Sequence, residues 1–256
     1  MQHINRVTMK VTVLQIDTIW ASPEENAAEA ERLMAAEKDS DVFVLPEMWN
    51  TGFATEPMGI AEDGAESVNW MMNMAREYDA AVCGCVAVEL DGHYYNRHYF
   101  CLPDGTTYAY DKHHLFRFGG EDRYYEPGNV RVVVEYKGVR FRLVTCYDIR
   151  FPEWCRCRED YDVLVCVANW PEERVLAWDT LIRARAIENQ CMVVAANRVG
   201  HDAHNKYVGR SVILNAYGEN LALAEDRRQM AISAYFDLKA QQHYREKFSV
   251  LSEIEY

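Results

Sequence analysis

A chain of 256 residues with 49% hydrophobic and 26% charged content is long enough to bury one large core or two small ones, which excludes disorder and fibre. Lys+Arg 27 against Asp+Glu 40 leaves a net charge of −13, and so acidic a surface repels phosphate backbones and anionic headgroups. Nucleic acid and membrane are therefore not expected partners. Eight cysteines are too sparse for a disulfide scaffold, the start MQHINRVTMK has no apolar stretch that would serve as a signal peptide, and no run approaches the roughly 18 apolar residues of a membrane span. A reducing, cytoplasmic setting is expected, in which each thiol is core filler, metal ligand or nucleophile.

In chain order, residues 1–8 are polar and irregular and read as a ragged end or a misassigned start. Met9–Gln15 is β-rich. Ser22-Pro23-Glu24-Glu25 then offers an N-cap, a proline at the first helical position and an acid behind it, which predicts a helix to about Lys38. Val42–Pro46 is a short unalternating apolar run, as expected of a strand buried on both faces. Ser67–Tyr78 reads as helix and Ala80–Glu89 as strand. Asp91-Gly92, before Tyr94–Leu102, and Pro103-Asp104-Gly105, before Thr107–Asp111, signal two hairpins and hence a three-stranded meander.

After a loop rich in charge and aromatics, Lys137-Gly138 joins Arg131–Tyr136 and Val139–Thr145 in another hairpin. Pro152 opens a short helix, and Val163–Ala168 is again a fully apolar strand. In Arg174–Asn189, Val175, Trp178 and Ile182 fall at i, i+3 and i+7, which predicts a helix. Met192–Asn197, Tyr207–Leu214 and Met230–Asp237 supply further strand, and a last helix covers about Leu238–Tyr244. No linker, repeat or low-complexity tract interrupts this, so residues 1–256 read as one domain. Strands apolar on both faces need helices outside and an apolar partner inside. Two mixed sheets face to face, flanked by helices, satisfy both needs: a four-layer α-β-β-α sandwich.

Reactive groups in such folds collect past the C-terminal ends of strands. Glu47 follows Val42–Pro46, Lys112 follows Thr107–Asp111, and Cys146 follows Val139–Thr145. A thiol attacks acyl carbon only as thiolate, so it needs a base, for which Glu47 is the candidate. The resulting oxyanion needs preorganised donors, which Lys112 and the backbone N–H of Tyr147 can supply. Cys83, Cys85, Cys101, Cys166 and Cys191 lie within apolar runs and read as packing. Cys83-x-Cys85 and Cys155-x-Cys157 have the wrong spacing for a zinc knuckle, and His113-His114 and His201-x-x-His204 lack a completing acid. No Gly-rich phosphate loop is present, so neither metal nor cofactor is implied. Arg185 continues the apolar stripe of its helix and reads as a partly buried structural ion pair or a subunit contact rather than a substrate contact, whereas Trp170, past Val163–Ala168, reads as pocket wall or core.

Leu45-Pro46-Glu47-Met48, Tyr110-Asp111-Lys112-His113-His114-Leu115-Phe116 and the run from Thr145 to Glu153 (TCYDIRFPE) resemble, in order, the three signature segments of the nitrilase, or carbon–nitrogen hydrolase, superfamily. The stretch from Glu121 to Gly128 (EDRYYEPG) is similar to the loop bearing that family's second glutamate, and Arg183 to Asn189 (RARAIEN) also fits. Ala168-Asn169-Trp170-Pro171 and Tyr244 to Phe248 (YREKF) look closest to the bacterial omega-amidase branch. The resemblance implies the α-β-β-α fold, with Glu47 as general base, Lys112 as oxyanion stabiliser, Cys146 as nucleophile, and Glu121 holding Lys112 and positioning substrate. It further implies a homodimer or higher homo-oligomer, and a small amide substrate of the 2-oxoglutaramate or 2-oxosuccinamate type. Another amide or N-carbamoyl substrate, or a non-catalytic interaction domain, are the alternatives. An anionic substrate requires local cations, for which Arg117 and Arg150 adjoin the motifs, while Asn169 and Trp170 are candidate pocket residues.

Overall fold

The computed structural model describes residues 8–253. The expectation about residues 1–8 lies outside this range except for Thr8, which opens the first strand. The strands are β1 (Thr8–Gln15), β2 (Val42–Val44), β3 (Ala81–Leu90), β4 (His93–Cys101), β5 (Thr107–Asp111), β6 (Val133–Tyr136), β7 (Val139–Thr145), β8 (Val163–Ala168), β9 (Met192–Asn197), β10 (Val199–His201), β11 (Lys206–Val208), β12 (Val212–Leu214), β13 (Asn220–Leu223) and β14 (Met230–Asp237). The α-helices are α1 (Pro23–Met34), α2 (Glu66–Tyr78), α3 (Pro152–Cys155), α4 (Val175–Glu188) and α5 (Leu238–Lys247).

Two six-stranded mixed sheets form, ordered β14-β1-β2-β3-β4-β5 and β13-β12-β9-β8-β7-β6. Strand periodicity decides how they pack. Val11, Val13, Val42, Val44, Cys83 and Cys85 of the first sheet meet Phe141, Leu143, Val165, Val167, Val194 and Ala196 of the second in one apolar layer. The intervening residues face outward: Leu14, Phe43 and Val82 pack under Leu33, Met71 and Ala75 of α1 and α2. Leu164, Cys166 and Val193 pack under Trp178, Ile182 and Ala186 of α4. Both faces of both sheets are thus covered, which is why the central strands carry unbroken apolar runs, and the four-layer α-β-β-α sandwich is the observed fold.

Local departures have local causes. Helix α1 stops at Met34 rather than near Lys38 because the chain must turn back into β2; Ser40 Oγ bonds the Lys10 and Val42 carbonyls, and Asp41 accepts the Lys10 N–H. Tyr207–Leu214, expected as one strand, divides into β11 and β12 at Gly209 (φ +86°) and Arg210 (φ +61°). A Cβ at Gly209 would clash with the Gln15 side chain, so the break is also a close approach to the end of β1. Strand β11 instead pairs with β10 as a two-stranded ribbon. No helix among the described residues is long and apolar enough to cross a membrane.

Candidate active site

Strands β1, β2 and β3 run parallel, as do β7, β8 and β9, and β5, antiparallel to β4, runs in the same direction as β3. The C-terminal ends of β2, β5, β7 and β8 therefore meet at one edge of the sandwich, where Cys85 Sγ and Thr145 Oγ1 approach to 3.4 Å across the inner layer. The loop after β2 carries Glu47 across the sheet. It lies so close that a Cβ on Gly84 would meet Leu45 Cβ at 2.8 Å and Trp49 Cδ1 at 2.9 Å, so the glycine inside β3 is what lets the loop pass.

Lys112 extends from the end of β5 and is buried with both Glu47 and Glu121. Its Nζ donates to Glu47 Oε1 at 2.9 Å and to Glu121 Oε1 and Oε2 at 3.1 and 2.9 Å. Glu47 Oε2 accepts the Asn169 N–H at 2.9 Å, and the Asn169 side chain donates to the Glu47 carbonyl at 2.6 Å, tying β8 to the β2 loop. Glu121 Oε2 also takes the Phe116 N–H at 2.6 Å. Burial opposes the charge on Lys112, but Glu121, Glu47 and the nearby Cys146 overcome it and hold its pKa well above the ordinary lysine value. Burial raises the pKa of Glu121, with Lys112 opposing.

Cys146 begins a 3-10 turn (Cys146–Arg150) directly after β7, at φ +46°. A non-glycine residue in this region is strained and persists only where its surroundings enforce it. Here the Asp148 carboxylate is the anchor. It accepts from the Thr145 N–H (2.9 Å), the Tyr110 hydroxyl (2.6 Å) and both the N–H and Nδ1 of His114 (2.9 and 3.0 Å), and Thr145 completes a capping box. These bonds keep Asp148 below the usual carboxylate range despite its burial. Burial and then the facing Glu47 carboxylate push the Cys146 thiol well above its ordinary pKa, with Lys112 countering. The resting sulfur is therefore a neutral thiol beside a carboxylate acceptor. The Tyr147 N–H sits in the first turn, where no intrahelical acceptor exists.

Glu47, Lys112, Cys146 and Asn169 line the floor of a cavity of about 610 Å³. Its walls include Phe53, Phe116, Tyr147 and Trp170, with Tyr207 and His204 contributed by the β10–β11 ribbon. Trp170 is both wall and core, since its ring lies 5.6 Å from that of Trp178. Arg150 enters the cavity, stacked over Trp170 at 4.8 Å and without a carboxylate partner among the described residues. Arg117 does not. The 3-10 turn Arg117–Gly119 sends its exposed side chain toward Asp122, 3.7 Å away, and into a separate hollow of about 640 Å³, leaving Phe118 and Gly119 to face the cavity. Glu121 does not line the cavity either; its carboxylate accepts from Lys112, Asn96 and the Phe116 N–H.

Two groups escape the sequence reading. Arg174, expected only as the start of a helix, lines the cavity over Phe116 at 5.4 Å, also without a carboxylate partner among the described residues. Asn96, in the interior of β4, joins Glu47 to Glu121. Arg185 is buried as expected, donating to the Ile149 carbonyl and pairing with Glu188 at 2.8 Å.

Fold and site together define a hydrolase of the α-β-β-α sandwich class. Residues 10–246 match the carbon-nitrogen hydrolase family, and the chain belongs to it. It is 42% identical over 242 residues to the omega-amidase YafV of Yersinia enterocolitica, covering 94% of each chain. Against the 2-oxoglutaramate amidase of Bacillus subtilis it is 36% identical over 251 residues, covering 95% of this chain and 96% of that one. In structure it is similar to a CN-hydrolase superfamily protein from Xanthomonas campestris whose active site carries an arsenic adduct (TM-score 0.91, 35% identity, 97% and 98% of the two chains covered).

Proposed function

We propose that this enzyme is an omega-amidase that releases ammonia from the terminal carboxamide of a small 2-oxo acid, such as 2-oxoglutaramate or 2-oxosuccinamate, through a thioester on Cys146. The observation that carries the reading is one cavity holding Cys146, Glu47 and Lys112 on its floor and, in its walls, two arginines that have no carboxylate partner among the described residues, Arg150 and Arg174. Omega-amidase and 2-oxoglutaramate amidase relatives support the same substrate class.

In this mechanism Glu47 takes the Cys146 proton as Sγ bonds the amide carbon, and the carbonyl π electrons move onto oxygen. Lys112 and the Tyr147 N–H receive that oxyanion. Lys112 has three N–H bonds: one meets Glu47, one is shared between the two oxygens of Glu121, and the third remains for the oxyanion. Glu47 returns its proton to the amide nitrogen, the C–N bond breaks and ammonia leaves. Water, deprotonated by Glu47, then cleaves the thioester to the carboxylic acid and restores the thiol. Arg150 and Arg174 hold the substrate carboxylate at the far end.

Eight free cysteines, seven of them buried, support a reducing cytoplasmic setting. The family resemblance supports a homodimer or higher homo-oligomer, for which the exposed rings of Tyr217 and Phe248, bracketing Tyr244, offer an apolar surface.

An ammonia-release assay over 2-oxoglutaramate, 2-oxosuccinamate, glutamine, asparagine and an N-carbamoyl amine tests the function. The two 2-oxo acid amides are expected to have the highest kcat/KM, and Cys146→Ala is expected to abolish turnover with the melting temperature preserved. Preference for a neutral amide or the N-carbamoyl amine overturns the substrate, and turnover by Cys146→Ala overturns the nucleophile.

A further inference from the structure

Asn96, His98 and Phe100 alternate on the inner face of β4, and Asn96 is fully buried there. Its backbone carbonyl accepts the Lys112 N–H at 3.0 Å, which sets the two residues side by side. Its side-chain Nδ2 donates to Glu47 Oε1 at 2.8 Å and to Glu121 Oε1 at 2.9 Å. Lys112 Nζ bonds the same two oxygens. Nζ, Glu47 Oε1, Nδ2 and Glu121 Oε1 thus close a ring of two donors and two acceptors. The amide orientation follows from electrostatics, because the flipped form would set its oxygen against two carboxylates.

A packing role does not account for this residue. Asn96 Oδ1 is buried with no hydrogen-bond partner among the described residues, so the side chain buries an acceptor without return, a burden that an apolar residue of similar size would avoid. Its two side-chain hydrogen bonds both go to the carboxylates flanking Lys112. One ammonium faces two acids, and the neutral amide adds two N–H donors without adding charge.

Resting on the reading of Glu47 as the base, we infer that Asn96 is a positioning residue. By bridging the carboxylates it saturates Glu47 Oε1, leaves Oε2 with the free lone pair that receives the Cys146 proton, and gives each acid beside Lys112 an N–H donor, which favours the charged form. Other titratable groups near the pair are Cys146 after β7, Cys85 on β3, Tyr125 in the loop before β6 and Tyr207 on β11; burial pushes all four upward, so they stay neutral. His98, next along the same face, is held neutral by burial, at about 3. Lys112 is therefore the one cation among these neighbours. Without the bridge, the two acids relieve their repulsion by binding a proton between them, and the base is lost until the pH is higher.

The test uses the purified full chain with Asn96→Leu, Asn96→Ser and Asn96→Asp, beside Glu47→Gln. Two pH profiles are recorded: kcat/KM for ammonia release, and the rate of Cys146 alkylation by iodoacetamide, followed by peptide mass spectrometry. The second needs no assumption about the substrate. Asn96→Leu is expected to move the acid limb of both profiles up by about one pH unit and to lower kcat at neutral pH about tenfold or more, with KM within about twofold. Asn96→Ser, which keeps one donor, is expected to fall between it and the parent, and Asn96→Asp, a third acid, to shift furthest. If Asn96→Leu does not fold, Asn96→Ser carries the comparison. Profiles that superimpose on the parent's, with activity falling only in step with the melting temperature, overturn the inference. An acid limb unchanged in Glu47→Gln instead overturns the assignment of Glu47 as base, so the two failures are distinct.

Discussion

On the proposed mechanism Cys146, desolvated at the cavity floor and facing a carboxylate, is a poor nucleophile at rest, and the chemistry depends on what Glu47 does during attack. Glu47 is anchored at both oxygens, by Lys112 and Asn96 at one and by the Asn169 N–H at the other, so it cannot swing away after taking the proton. The same carboxyl group must then serve both halves of the reaction. Glu47→Gln is expected to slow thioester formation and thioester hydrolysis alike, each by about 10²–10⁴. Rapid-quench kinetics resolves the two steps, and impairment of one alone refutes a shared base. This part of the site was legible beforehand because Glu47, Lys112 and Cys146 each follow a strand, where sequence pattern already directs attention. Asn96 was not, since it sits inside a strand between Tyr95 and Arg97 and no turn marks it. Its only signal is polarity at a position in phase with Phe100, on the face that turned out to be the inner one. Arg117 failed for the opposite reason: adjacency to a motif says nothing about which way a 3-10 turn points a side chain.

Among the secondary-structure elements, β3 does more than its apolar run announced. Gly84 interrupts Val82-Cys83 and Cys85-Val86, and it is the spot where the Leu45–Asn50 segment crosses the sheet. A side chain there must displace Leu45 or Trp49, and Glu47 lies between them. Gly84→Val is therefore expected to cost about 1–3 kcal/mol of stability by overpacking and to lower kcat more than that loss explains. Urea denaturation gives the first quantity and steady-state kinetics at a temperature far below unfolding gives the second; full activity in a destabilised variant would show that the loop position does not govern the base. The long strands were legible from their unbroken apolar runs, and β5, β7, β8, β9 and β14 begin and end where the pattern placed them. The three-residue strands β10 and β12 and the largely exposed β13 were not separately legible, because pieces that short carry no periodicity and are set by their partners.

Across the molecule, two mixed sheets and four layers follow from the need to cover both faces of apolar strands, but strand order does not. β14, from the far end of the chain, lies antiparallel against β1, with Thr8 opposite Asp237, a pairing that no local pattern foretells. Net charge was legible from the start, and its consequence is now narrower. The chain carries −13, and Glu56 and Glu173 stand exposed at the cavity beside the two arginines proposed to bind carboxylate. An anionic substrate is repelled at long range and attracted only on contact. Salt screens exposed charges beyond about 8–10 Å strongly, and short partly buried pairs much less. Raising the ionic strength from about 10 to 150 mM should therefore increase kcat/KM for 2-oxoglutaramate by about two- to threefold while leaving a neutral amide unchanged. Glu56→Gln combined with Glu173→Gln should raise the low-salt rate and flatten the dependence. A decrease with salt for the anionic substrate would mean that Arg150 and Arg174 already dominate the field at the mouth, and that the acidic surface plays no part in substrate capture.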